Sequence, residues 1–138
     1  MLDKLKLKIE KKQIIRENFF EDYDVDDLLD MRDSEEFDEE WMRVYEDLSK
    51  TKISEDEKKK INNIREKSFL NAYSLSESSD IASCISDDFE IICKAYITGY
   101  NDVWLNSLII SYARGEFPCG NLEMSKYSIK ESISMLLN

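Results

Sequence analysis

Between Ile81 and Tyr96 the apolar residues Ile81, Ile85, Phe89, Ile92 and Tyr96 recur at intervals of four, four, three and four. That spacing stacks side chains on one face of an α-helix. The same period returns along most of the chain. Phe37, Trp41, Val44, Tyr45 and Leu48 form one stripe. Ile61, Ile64, Phe69, Ala72 and Tyr73 form another, opened by the capping box Ser54–Glu57 and ending near Ser76. Ser79 or Asp80 is placed to cap the helix of Ile81, and Gly99 to end it. Asn101 or Asp102 is placed to cap a further helix that buries Trp104, Leu105, Leu108, Ile109 and Tyr112. It stops at Gly115, ahead of Pro118. A last helix is predicted over 125–137, with Ile129, Ile133, Leu136 and Leu137 inward.

The first half is less regular. Leu2, Leu5 and Ile9 fit a helix, predicted over 2–18, although Leu5, Leu7 and Ile9 also alternate as in a strand. Asp22–Arg32 reads as a loop or a short helix holding Val25, Leu28 and Leu29. Asp33, with Glu36 three residues on, resembles a capping box for the helix of Phe37. Three Gly and one Pro in 138 residues leave little material for the many turns of an all-β fold. The expectation is all-α: one domain over 1–138, five or six helices in an irregular bundle.

Charge changes the picture. Of the net −11, residues 1–16 contribute +4, residues 17–47 contribute −13 and residues 48–138 contribute −2. The segment EDYDVDDLLDMRDSEEFDEEW, from Glu21 to Trp41, holds twelve acids and a single base, Arg32. Runs of like charge repel one another and cost stability in the free protein, and many are simply solvated faces. This one is threaded with Tyr23, Val25, Leu28, Leu29, Met31, Phe37 and Trp41, apolar content that disordered acidic tails lack. The carboxylates therefore belong on an ordered outer surface. The lysine-rich start is expected to fold back against them.

The remaining chemistry is sparse. The chain has no histidine, which removes Ser-His and Cys-His nucleophile pairs and histidine-bearing zinc sites. Cys84 and Cys93 fall beside an apolar helix face and read as packing; Cys119, in GEFPCGN, falls in a turn. Three unpatterned cysteines suit a reducing compartment. No apolar run is long enough for a signal peptide or a membrane span, so a cytoplasmic location is expected. Asp22, Asp24, Asp26 and Asp33 sit at positions 1, 3, 5 and 12 of a possible calcium loop. Position 6 is Asp27 where the turn calls for Gly, and Asp33 is shorter than the bidentate Glu usual at position 12. No enzyme activity and no cofactor are expected.

A dense acidic surface complements a basic one, and proteins that grip nucleic acid carry the strongest basic surfaces. The sign is wrong for binding nucleic acid directly. It suits a protein that occupies the groove of a nuclease, with opposite fields speeding capture. The acidic run 21–40 and the helical half DIASCISDDFEIICKAYITGYNDVWLNSLIISYARGEFPCGN resemble bacterial immunity proteins. Those of contact-dependent growth inhibition systems are the nearest in type, with helical bacteriocin immunity proteins next. The resemblance implies a complex with a toxin domain, often a nuclease, with room for a third protein. Tyr23 is the candidate aromatic anchor, with Asp22, Asp24, Asp26, Asp27, Asp30, Asp33, Glu35, Glu36, Glu39 and Glu40 as the negative face. Glu116–Phe117–Pro118 is a second candidate contact. The alternatives are a nucleic-acid mimic that inhibits a DNA- or RNA-binding enzyme, and a calcium-binding helical protein.

Overall fold

The computed structural model describes residues 1–138 and is entirely helical. Its seven helices are α1 Leu2–Glu10, α2 Val25–Arg32, α3 Glu35–Ser49, α4 Glu55–Ser76, α5 Ser79–Thr98, α6 Val103–Ala113 and α7 Ile129–Leu137. The count exceeds the five or six expected because Val25–Arg32 is a helix in its own right.

The antiparallel pair of α4 and α5 is the spine of the molecule and its largest helix–helix contact. The local sequence fixes both ends of each helix. Ser54 and Glu57 close a reciprocal capping box at the start of α4. Glu77 ends α4 in the left-handed conformation, with φ 55°. The Ser78 hydroxyl, one residue ahead of the two candidates expected, accepts the Ile81 amide to start α5. Gly99, with φ 73°, ends α5, a conformation glycine adopts without Cβ strain. The predicted α5 stripe is buried at Ile81, Ile85, Phe89 and Ile92. Burying each of these removes about 1.5–3 kcal/mol worth of apolar surface from water. Tyr96, placed inward by its spacing, is exposed, as are Tyr73 and Tyr45. Tyr45 and Tyr73 lie at the margins of their stripes and Tyr96 near the C-terminal end of α5, places where an amphipathic ring meets water.

Helix α1 packs on α4, and α6 on α7. α6 is buried continuously from Trp104 to Ile110 and forms the centre of the core. Asp102, one of the two caps expected, accepts the Leu105 amide.

Three boundaries differ from expectation. α1 ends at Glu10 rather than near residue 18. Continuing the face of Leu5 and Ile9 by helical steps would point Lys12, Gln13 and Arg16 inward. Instead Lys12 adopts φ 56°, and the chain turns to bury Ile14, Ile15, Phe19 and Phe20. α3 starts after Ser34, not after a capping Asp33, and Ser34 makes no side-chain cap bond. α7 starts after Ser128, where a second capping box with Glu131 forms, so Ser125 lies outside it. No helix is long and apolar enough to cross a membrane.

Candidate partner-binding surface

The acidic segment is held by α2 and α3. The Asp24 carboxylate caps α2, accepting the amides of Asp26 at 2.9 Å and Asp27 at 3.2 Å. Acids in the first turns, Asp26 and Asp27 in α2 and Glu35, Glu36 and Asp38 in α3, oppose the positive helix ends. Val25, Leu28, Leu29 and Arg32 turn inward from α2. Phe37, Val44 and Leu48 do so from α3, with Trp41 partly buried beside them.

Arg32, the one base of the 21–41 run, leaves the surface altogether. It is 7% exposed and meets Asp88 of α5, which is 0% exposed. Nη1 donates to Asp88 Oδ2 at 2.8 Å and to the Pro118 carbonyl at 3.1 Å; Nη2 donates to Asp88 Oδ1. Trp41 Nε1 donates to Oδ1 at 2.8 Å, and the Tyr112 hydroxyl to Oδ2 at 2.5 Å. The guanidinium lies over the Phe37 ring at 4.4 Å and the Phe117 ring at 5.3 Å. One buried carboxylate thus joins α2, α3, α5, α6 and the loop after α6. Burial opposes the charge on Arg32, but Asp88 outweighs it and drives the guanidinium pKa up. The Tyr112 phenol is also pushed well up, by burial first and Asp88 second.

With Arg32 withdrawn, the carboxylates outside are almost unopposed. Of the fifteen in residues 17–47, only Glu40 meets a base within 4 Å, namely Arg43 at 3.0 Å. Asp26, Asp27, Asp30 and Asp33 line the exposed side of α2, and Glu35, Glu36 and Glu39 continue onto α3. Two of the expected face residues are engaged within the protein: Asp24 as the α2 cap and Glu40 by Arg43. Arg43 also reaches Asp102 at 2.8 Å, and the Tyr100 hydroxyl donates to Asp47 at 2.8 Å. These bonds tie one flank of α3 to the start of α6. Burial would raise Asp102, but Arg43 and the amides of Leu105 and Trp104 hold it below its ordinary value. Asp22 and Tyr23 precede α2; Tyr23 is 58% exposed, without a ring partner.

Other readings of the sequence differ from the structure. The calcium loop at Asp22, Asp24, Asp26 and Asp33 does not form. Val25–Arg32 is helical, so Asp24 and Asp33 stand at opposite ends of it, roughly 13 Å apart at 1.5 Å per residue. No three ligating side chains are gathered anywhere to hold a metal. The N-terminal lysines do not fold back on the acidic run, because α1 packs on α4 and α7, and the nearest acid to Lys6 is Glu10 on its own helix. Of the candidate contact Glu116–Phe117–Pro118, Glu116 is exposed but Phe117 and Pro118 are buried. Arg32 draws the Pro118 carbonyl inward, and Phe117 packs against Phe20. Cys119, like Cys84, is half-buried. Burial raises all three thiols, Cys84 to about 11 and Cys93 to about 12.

The family model "Immunity protein PIM1" matches residues 4–119. The chain belongs to that family of immunity proteins. No curated protein matches it. The matched span runs from within α1 through α6, covers the acidic face and every member of the Asp88 network, and stops short of α7. Membership in an immunity family makes a toxin the partner class. The Asp88 network went unseen in the sequence because its partners Arg32, Trp41 and Tyr112 lie far from it along the chain, and no spacing links them. Its one trace was an acid at the i−1 position to Phe89, on the inward side of an apolar helix.

Proposed function

We propose that this chain binds a basic toxin domain, a nuclease of the contact-dependent inhibition or bacteriocin type, and neutralises it through the acidic face of α2 and α3. It acts by occlusion and catalyses no reaction of its own, in the cytoplasm of the cell to be protected. The observation that carries the reading is the ordered row of exposed carboxylates from Asp26 to Glu39, none of which meets an internal base. Such a row creates a field that steers a cationic partner over about 8 Å in physiological salt. Association at low salt then reaches roughly 10⁸–10⁹ M⁻¹s⁻¹. A nucleic-acid mimic would spread its acids over several elements at phosphate-like intervals; here they concentrate on two consecutive helices.

The test is co-expression with the toxin domain encoded in the adjacent reading frame, followed by stopped-flow association. Wild type is expected to restore growth. Asn at Asp26, Asp27, Asp30 and Asp33 together is expected to slow association at low salt, with fold stability unchanged or higher. Killing despite good expression, or an unaltered on-rate in the Asn variant, contradicts the proposal.

A further inference from the structure

The two flanks of α3 are built differently. On one, Glu40, Arg43 and Asp47 are tied to Asp102 and Tyr100 of the α6 entry. On the other, Asp38, Met42 and Tyr45 succeed one another by helical steps of four and three, and none has a polar partner in the fold. Met42 is 41% and Tyr45 39% exposed. Beneath Tyr45 lies Trp41, its ring stacked parallel with centroids 5.4 Å apart and 13° between planes. Trp41 is in turn pinned by the bond from Nε1 to Asp88. The outer ring therefore rests on a fixed one, and the fixed one is bolted to the core.

From this geometry we infer that Trp41, Met42 and Tyr45, with Asp38 one turn before Met42 and two turns before Tyr45, form the anchor site of the partner surface and receive an arginine side chain of the toxin. The inference rests on the immunity reading and specifies its contact. Three considerations choose the occupant. A flat aromatic face on a helix that displays free carboxylates suits a planar guanidinium, which stacks while its N–H groups stay free to hydrogen-bond, and suits a lysine less well. The surrounding acids, Glu35, Glu39 and Glu46, have no base within 4 Å, so the field favours a cation. The protein already uses the same chemistry inside, where Arg32 lies over Phe37 and Phe117 and pairs with Asp88. Tyr23 is the more exposed ring, but no other ring supports it. Tyr45 is ordered beforehand, and preorganised aromatic anchors dominate interfaces.

The experiment measures association and dissociation of the full chain with the toxin domain by surface plasmon resonance. Tyr45→Ala, Tyr45→Phe, Asp38→Asn and Tyr23→Ala are compared, with each fold checked by urea unfolding. Tyr45→Ala is expected to weaken binding roughly tenfold or more, chiefly through faster dissociation. Tyr45→Phe should stay near wild type, because the ring face carries the contact. Asp38→Asn should weaken binding and lower its salt sensitivity. Replacing the toxin's contacting arginine by lysine should reproduce the loss. Tyr45→Ala within about twofold of wild type, with Tyr23→Ala at a tenfold loss, overturns the inference while leaving the immunity reading intact. Failure of wild type to bind the toxin at all overturns both. Self-association of the free chain that Tyr45→Ala abolishes would make a second copy the occupant and likewise overturn it.

Discussion

Replacing Arg32 by Met removes the cation at the centre of the molecule while keeping a flexible apolar stem. Asp88 then remains fully buried with donors from Trp41 and Tyr112 but no counter-charge. Removing one member of a buried ion pair costs about 3–5 kcal/mol, since the desolvated partner stays behind. Against a total stability of roughly 5–15 kcal/mol for a domain of this kind, the variant folds but unfolds much more easily. Asp88→Ala does more damage: it strands the guanidinium and also leaves the Trp41 N–H and Tyr112 O–H without acceptors, at about 1–3 kcal/mol each. Combining Arg32→Met with Asp88→Asn removes both charges and keeps one amide oxygen for those donors. The double variant is therefore expected to be more stable than Arg32→Met alone, a coupling of opposite sign to simple addition. Urea unfolding followed by tryptophan fluorescence reports the site directly. Trp41 bonds to Asp88, and Trp104 lies edge-on to Phe37 at 5.1 Å. An Arg32→Met loss under about 1 kcal/mol, or a double variant whose loss is the sum of the singles, would refute the argument that one carboxylate holds this half of the fold together.

Three further outcomes follow from local structure. Ser54→Ala breaks the capping box of α4 and should cost about 1 kcal/mol in urea unfolding. Glu77→Gly relieves a left-handed non-glycine residue at the α4 end and should stabilise by about 1 kcal/mol, read as a raised unfolding midpoint. Asp102 has a folded-state pKa below its ordinary 3.8, so its contribution is complete above that value and is lost as pH falls through the lowered one. Unfolding midpoints between about pH 5 and pH 2 should therefore decline less steeply in Asp102→Asn than in wild type.

The sequence was most legible where one face of a helix alone decides the structure. The stripe of α5 named Ile81, Ile85, Phe89 and Ile92 as buried because period and burial coincide there, α6 is apolar enough to be buried on nearly every side, and Ser54–Glu57 named the start of α4 because the cap is local. Legibility failed where long-range contacts decide. The end of α1 was legible only in part: polar residues at 12, 13 and 16 break the face of Leu5 and Ile9, but the turn itself is decided by the burial of Ile14 and Ile15 against the rest of the core. Arg32 is the one base of the acidic run, and only Asp88, fifty-six positions away, shows that it leaves the surface altogether. The outer carboxylates were readable as exposed, but the division of α3 into a tied flank and a free one depends on Arg43 meeting Asp102, a pairing no spacing reveals. Tyr45 was assigned to the core by period alone, and the shelf it forms on Trp41 became visible only in three dimensions.

Apart from Asp24, Glu40 and Asp47, the carboxylates of residues 17–47 form no hydrogen bond within the protein, whereas the helices that display them hang from one interior junction. Scaffold and lettering are thus separate systems. A lineage carrying this architecture can rewrite the outward positions of α2 and α3 to follow a changing adversary, at small energetic penalty and without re-solving the problem of how to fold.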